Sequence, residues 1–510
     1  MSGRADNEVR TGKAVSEYAR IVARQRPYGH TPERRSIRFA EFRQLVRRYR
    51  PSDLLPALGA LALVGGEPPF SPQLLRNAPP WAIALAARES ILWGNEYRRE
   101  GVTADDLRVV FNAHNSIHEG DVAPSTTGLL SMLTRLAYEQ FPYQESIFEE
   151  VSRSHALLVD GIGEIDAEVL DEGAWHRLLG APLGQIVGAT FFLQVAATKN
   201  AGWFDHKWLD RDDLQPLYAR WPRHVIEQRA EQLSSSFEDF RTAYESVPHP
   251  PNGYERYAYN PLVARPFVRM TDGRLLAPQP RLVLRTVSPS GLYYRGIKEF
   301  GTPFARDLGR LTERYVGEQL ASIDDSIELH PEIVYGKPEQ KSIDWFLVLP
   351  SVVIMFEVKS ARSGLLDRAA VDGFESRAKI LFDKAITQLE RSSEALDNRL
   401  TAFAHIPPGL PRIGIIVTGE PYYLANSTWM RDLLKQAPFA TLTASLRDIE
   451  FLAGLPLHEV ERQLVEIAND PERSTWNLGN AIEDAPEHGG NKVLQRAWDS
   501  YPWLDSLDAD

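Results

Sequence analysis

At 510 residues the chain has room for about three domains of ordinary size. Hydrophobic residues at 43% and charged residues at 25% exclude a mainly disordered or collagen-like polymer. The absence of cysteine excludes a disulfide framework, a cysteinyl zinc site and a thiol nucleophile, and a net charge of −12 excludes a general polycation for nucleic acid.

The N-terminus, MSGRADNEVR, lacks the apolar centre of a signal peptide. The run LLPALGALALV (54–64) is about half a membrane span and is broken by Pro56 and Gly59, so it reads as a buried helix or loop–helix junction. The expectation is a cytoplasmic protein without membrane contact. Residues 1–50 hold thirteen Lys/Arg and five Asp/Glu, a local charge of +8 against −20 for the remainder. Within them FAEFRQLVRRYR (39–50) reads as a helix with arginines along one side. A phosphate-contacting arm is one reading; a solvated basic face or an internal docking surface is the favoured one.

Up to about residue 250 the periodicity is helical. Apolar residues recur at three- and four-residue spacing in 81–100, 129–141 and 144–159. The stretch LGQIVGATFFLQVAAT (183–198) is apolar nearly all round, as a central buried helix is. Residues 225–247 read as one long amphipathic helix, and no repeat of solenoid period stands out. PHPPNG (248–253) is loop chemistry, and the domain boundary is expected there. The resulting division is a mainly helical sensor or recruitment domain (1–250), a connecting hairpin segment (251–299), a domain at 300–470 and a polar acidic tail (471–510).

After the boundary, RPFVRM and RLLAP flank Thr271-Asp272-Gly273, a hairpin signal because Asp-Gly supplies positive φ. LVLRTV (282–287) reads as a further strand. From about 300 the order becomes helix (307–323), a strand interrupted by Pro331 (327–336), two adjoining strands (342–350 and 351–361), a strong helix (370–396), a buried strand (412–420) and a helix (426–437). The fold class expected is α+β or α/β, a helical N-terminal half followed by an α/β module.

Chemistry concentrates in the pair of adjoining strands. VVIMFEVK (352–359) is apolar on both faces until Glu357 and Lys359, which alternation places on one face. A carboxylate and an ammonium there are costly unless paired or used. A turn centred between Pro350 and Ser351 sets Asp344 directly opposite Glu357, with Cβ atoms about 4.5–5.5 Å apart. Pro350 suits the tight primed turns poorly, so a longer loop with offset pairing is the alternative. Two carboxylates so close repel, which raises a pKa unless a cation lies between them. Mg²⁺ accepts such a carboxylate pair and completes its shell with water and phosphate oxygens.

Ile343-Asp344 followed by Glu357-Val358-Lys359 resembles the signature of the PD-(D/E)XK nuclease superfamily, the restriction-endonuclease-like fold. The resemblance covers roughly 300–450. It implies an αβββαβ domain and metal-dependent hydrolysis of DNA phosphodiester bonds, with RNA as an alternative substrate. Asp344 and Glu357 would bind Mg²⁺ or Mn²⁺, joined by Glu313 from the preceding helix, with Glu318 as the other candidate. Lys359 would orient or activate the attacking water, and Gln388 on the following helix would orient the lysine or contact the nucleic acid backbone. Ile343 replaces the proline of the family's name, and Ser392 stands where some branches carry a tyrosine four residues after the glutamine. By analogy with other chains that join this fold to a helical module, the N-terminal half is expected to bind DNA, a protein partner or another copy of the chain, in a prokaryotic defence or restriction role. A catalytically inactive scaffold or regulatory binding protein is the alternative from another class.

Other constellations are weaker. His114 and His118 are four apart but lack the H-E-x-x-H order, and Thr11-Gly12-Lys13 lacks the upstream glycine of a phosphate loop. No G-x-S-x-G nucleophile elbow occurs. Met355 and Phe356 read as core, Trp345 as packed on the face opposite Asp344, and Arg362 and Lys379 as ordinary surface charge.

Overall fold

The computed structural model describes residues 12–20, 36–66, 68–118, 126–143, 145–171, 173–360, 374–482 and 489–501. The fold is α+β, with mixed sheets among a majority of helices. The chain gathers into two compact units. One comprises Met1–Val122, Leu136–Val151 and Trp175–Tyr294; the other comprises Ala123–Arg135, Ser152–Ala174 and Arg295–Asp510. No helix among the described residues is long and apolar enough to cross a membrane.

In the first unit the main helices are α1 (Phe39–Val46), α2 (Pro51–Leu61), α3 (Pro80–Trp93), α4 (Ala104–His114), α5 (Leu183–Lys199), α6 (Arg223–Gln232), α7 (Phe237–Glu245) and α8 (Arg281–Arg285). Proline at the first position starts α2 and α3, where its fixed φ and missing N–H suit a helix end. Helix α3 is buried from Pro80 to Leu92, including Arg88 and Glu89. Those charges are tolerable because they are paired. Arg88 Nη1 donates to the carbonyl of Ala258 at 2.6 Å, and Glu89 accepts from Arg43 Nε at 2.6 Å. Arg43 also lies over the Trp93 ring, and Arg50 pairs with Glu100 at 2.9 Å. These two arginines of the 39–50 stretch are thus engaged inside their own unit, as an internal docking surface requires.

Three expectations for this half fail for identifiable reasons. The helix over 81–100 stops at Trp93, where Gly94 donates the last helical N–H to the Ser90 carbonyl and turns to extended backbone (φ −74°, ψ 165°); its close approach to Ser90 and Pro51 leaves no room for a Cβ there. The single helix over 225–247 is two helices separated by a short strand, since Ser236 caps α7 in a reciprocal box with Asp239. LVLRTV is not a strand: its first residues lie in α8, a short apolar run being ambiguous by periodicity.

The hairpin around Asp272-Gly273 does form, between β3 (Phe267–Arg269) and β4 (Leu275–Leu276), with Gly273 at φ 83°. It completes a four-stranded sheet with β1 (Trp203–Phe204) and β2 (Ser234–Ser235), in the order β1-β4-β3-β2. The hairpin therefore belongs to the first unit, which runs on to Tyr294; PHPPNG is a loop within it and not its end.

The second unit is built on a five-stranded sheet ordered β11-β10-β9-β8-β5. In chain order its parts are α9 (Thr302–Ala321), β5 (Glu328–Pro331), the small ladder β6 (Val334–Tyr335) and β7 (Gln340–Lys341), β8 (Trp345–Val348), β9 (Val353–Lys359), α10 (Phe374–Asp397), β10 (Arg412–Thr418) and β11 (Ala440–Ser445). Strands β5, β8 and β9 are antiparallel; β10 runs parallel to both β9 and β11. Helix α10 crosses between the parallel strands β9 and β10 and buries Phe382, Ala385, Ile386 and Leu389 against Phe346, Val353, Met355 and Ile416. On the other face α9 takes Trp345, whose Nε1 donates to the Glu313 carbonyl at 2.9 Å. Of the helix expected over 426–437, only Thr428–Arg431 is α-helical.

Beyond β11 lie α11 (Leu446–Leu452), α12 (Leu457–Asn469) and α13 (Lys492–Asp499). The described part of the acidic tail is docked. Helix α13 buries Val493, Leu494 and Ala497, and Asn491 at its start donates to Gln319 Oε1 at 2.6 Å.

Candidate active site

The turn decides the geometry. Leu349 N–H donates to the Val352 carbonyl at 2.9 Å, leaving only Pro350 and Ser351 in the loop. Glu461 secures this turn by accepting from both the N–H and the hydroxyl of Ser351, at 2.8 and 2.6 Å. The ladder then pairs Val348 with Val353 and Trp345 with Phe356, the register of the turn centred between Pro350 and Ser351. Asp344 lies one residue outside the ladder, where continuation of the register places it opposite Glu357. Its Oδ2 accepts the Val358 N–H at 2.6 Å, a role a strand carbonyl fills inside the ladder.

Strand β9 is buried from Val353 to Val358, with Met355 and Phe356 fully covered as core. Glu357 is 1% exposed. One of its oxygens accepts from Lys359 Nζ, which also donates to Gln388 Oε1 at 2.8 Å. The other, Oε2, is buried with no hydrogen-bond partner among the described residues. Residues 344, 357, 359 and 388 are thus brought together at the end of two strands and on one helix face.

Burial, then repulsion from Glu357 and Glu313, pushes the Asp344 carboxyl up to about 8. Burial pushes Glu357 up to about 7 against the pull of Lys359. Glu313 is raised by burial and by Glu332, while Lys359 and Lys341 pull it down. Glu318 is turned elsewhere, to Arg314 at 3.1 Å and to Arg496. Of the two helix candidates, Glu313 is the one whose charge reaches the site.

Crowded carboxylates with one unsatisfied buried oxygen are an electrostatic deficit that a hard cation relieves. The donor set fits Mg²⁺ or Mn²⁺: carboxylate oxygens, with neither thiolate nor imidazole among them. Among the described residues, no group of three or more His, Cys, Asp or Glu is arranged to hold an ion by itself. The fit is therefore to a two-carboxylate site, Asp344 and Glu357, with Glu313 acting through its charge.

Two contributors carry no mark in the motif. Glu332 and Lys341 pair at 2.8 Å, and both act electrostatically on Glu313. Lys341 in turn feels Asp344. The β6–β7 ladder brings them there, and each segment is too short to announce itself by periodicity. Lys379 is committed to Asp383 at 2.6 Å. Arg362 lies outside the described residues. His114 closes α4 and is buried, whereas His118 falls beyond the helix end, so the four-residue spacing makes no shared helical face.

No protein-family model, curated protein or solved structure matches this chain.

Proposed function

We propose that the second unit is a metal-dependent nuclease of the PD-(D/E)XK type that hydrolyses DNA phosphodiester bonds. The observation that carries this is the buried Asp344–Glu357–Lys359–Gln388 constellation with one Glu357 oxygen left unsatisfied. The order α9, three antiparallel strands β5, β8 and β9, α10 and parallel strand β10 supports it, being the αβββαβ order of that family.

Asp344 and Glu357 would hold the Mg²⁺ or Mn²⁺. When bound, the cation supplies polarisation of the phosphoryl oxygen and acidification of a water. The chain's own work is positional. Val358 N–H fixes the Asp344 carboxylate, and Gln388 keeps Lys359 beside the site instead of in solvent. From there Lys359 aligns the water that attacks phosphorus and offsets the negative charge gathering on the phosphoryl oxygens as the bond to the leaving oxygen breaks. Restriction or antiviral defence is the setting we infer, by analogy with other chains that carry this fold beside a helical module.

The test is cleavage of supercoiled, linear and single-stranded DNA, with RNA in parallel, by wild type and Lys359→Ala in Mg²⁺, Mn²⁺ or EDTA. Metal-dependent DNA cleavage lost in the variant is the expected result. Cleavage of RNA alone would reassign the substrate. Absence of both cleavage and Mn²⁺ binding would leave the fold as a non-catalytic scaffold.

A further inference from the structure

The ladder that fixes a strand's backbone ends at Trp345, so something else must hold Asp344 in place. The preceding residue, Ile343, is 0% exposed, and its N–H and C=O both need partners away from water. Two serine hydroxyls supply them. Ile343 N–H donates to Ser392 Oγ at 2.9 Å, and Ser342 Oγ donates to the Ile343 carbonyl at 2.8 Å. Ser342 is itself tied to Ile333: its Oγ accepts the Ile333 N–H at 2.8 Å, and its N–H donates to the Ile333 carbonyl at 3.0 Å.

Ser392 lies four residues after Gln388 in α10, hence on the same helix face. It is fully buried. One turn of one helix therefore grips both strands of the site. Gln388 holds Lys359 at the end of β9, and Ser392 holds the amide of Ile343, the residue before Asp344.

We infer that Ser392 is a positioning residue, which sets the Asp344 carboxylate opposite Glu357 by anchoring the Ile343 amide where the ladder no longer does. The inference rests on the nuclease reading of the site and adds to it how Asp344 is aimed. Ser393, the next residue, provides the control. It is also buried, and its Oγ accepts from Arg412 Nη1 at 2.5 Å. Arg412 begins β10, at the end of the strand away from Thr418, the residue paired with Lys359.

The experiment uses the full chain as wild type, Ser392→Ala, Ser342→Ala and Ser393→Ala. Mn²⁺ affinity is titrated in the absence of nucleic acid, DNA cleavage is resolved into kcat and KM, and thermal midpoints confirm that each variant is folded at the assay temperature. Ser392→Ala is expected to weaken Mn²⁺ binding and kcat by about 10–100-fold, as loss of a group that orients a ligand does. KM for DNA should stay nearly unchanged. Ser342→Ala releases the carbonyl of the same residue, in the next peptide unit, and should repeat the effect; it carries the test if Ser392→Ala does not fold. Ser393→Ala should lower the thermal midpoint alone. Wild-type Mn²⁺ affinity in the Ser392 and Ser342 variants, or equal losses in Ser393→Ala, would overturn the positioning role while leaving the nuclease reading intact. If wild type itself bound no Mn²⁺, the nuclease reading would fall, and this inference with it.

Discussion

Gly317→Ala is expected to destabilise the second unit, although the same exchange stabilises most helices. Gly317 lies inside α9, and replacing an interior helical glycine with alanine ordinarily gains about 1 kcal/mol. Here an added Cβ would fall 2.1 Å from Trp345 Cζ2 and 2.5 Å from Cε2 and Cη2. A rigid indole cannot yield by more than an ångström without moving its strand. Overpacking of this kind costs about 1–3 kcal/mol. Displacing the ring also breaks the Trp345 Nε1 bond to the Glu313 carbonyl, worth about 1 kcal/mol. The sum outweighs the propensity gain, for a net loss of about 1–3 kcal/mol. Gly309→Ala in the same helix supplies the opposite case, since its Cβ would meet only Ser360 Oγ at an ordinary 3.5 Å. It should raise stability by up to about 1 kcal/mol. The assay is thermal and urea unfolding of both variants, with DNA cleavage below the transition. Because Trp345 adjoins Asp344, Gly317→Ala should also lose cleavage, and Gly309→Ala should keep it. If Gly317→Ala stabilised the protein as Gly309→Ala does, the close packing of α9 on Trp345 would be wrong.

Asp344 and Glu357 hold protons in the folded chain up to about 8 and about 7, but in the unfolded chain only near their ordinary 3.8 and 4.5. Between those limits the folded state binds more protons, so the metal-free protein loses stability as pH rises, by about 1.4 kcal/mol per proton per pH unit. Thermal midpoints in EDTA should fall from pH 5 to 8, Mn²⁺ should restore more at pH 8 than at pH 5, and the double variant Asp344→Asn/Glu357→Gln should flatten the trend. His114 has the opposite sign: burial holds its imidazole down to about 3 from 6.5. Below pH 6.5 the unfolded chain binds the extra proton, and stability drops as pH falls. His114→Phe, beside the Phe42 ring at 6.2 Å, should remove that acid slope from urea midpoints between pH 6.5 and 4; an unchanged slope would mean His114 is solvated. Lys341 is exposed beside the carboxyls of the site, where a bound phosphate would meet it, so Lys341→Ala should raise KM for DNA and reduce the log–log salt slope of binding by about 1, the signature of one lost phosphate contact. An unaltered slope would return Lys341 to its ion pair with Glu332 alone.

The sequence by itself determined the parts of the second unit that depend on local pattern. An apolar run with Glu357 and Lys359 at its end is a central strand with charges at its tip, whatever surrounds it. The sequence offered the register that sets Asp344 opposite Glu357 beside an offset one with a longer loop; the Leu349–Val352 hydrogen bond of the folded turn selects the first. Gln388 was legible only through the family resemblance, which implies a glutamine on the helix after the motif; its bond to Lys359 is a finding of the structure. The glycine turn at 271–273 followed from backbone chemistry alone.

Tertiary structure decided what local pattern cannot encode. The resemblance offered Glu313 and, second, Glu318; Arg314 and Arg496 claim Glu318, and Glu313 is the one whose charge reaches Asp344. Glu332 and Lys341 join it through a two-stranded ladder too short to read from periodicity. The hairpin expected to connect two domains instead completes a sheet with Trp203–Phe204 and Ser234–Ser235, because strand edges seek hydrogen bonds wherever the chain can supply them. Ser392 shows the difference most plainly. By sequence it was a departure from a motif; in the fold it is the acceptor for a buried amide that no strand can satisfy. Periodicity reports which face of an element is buried, whereas the partner of a single polar group depends on where a distant segment comes to rest.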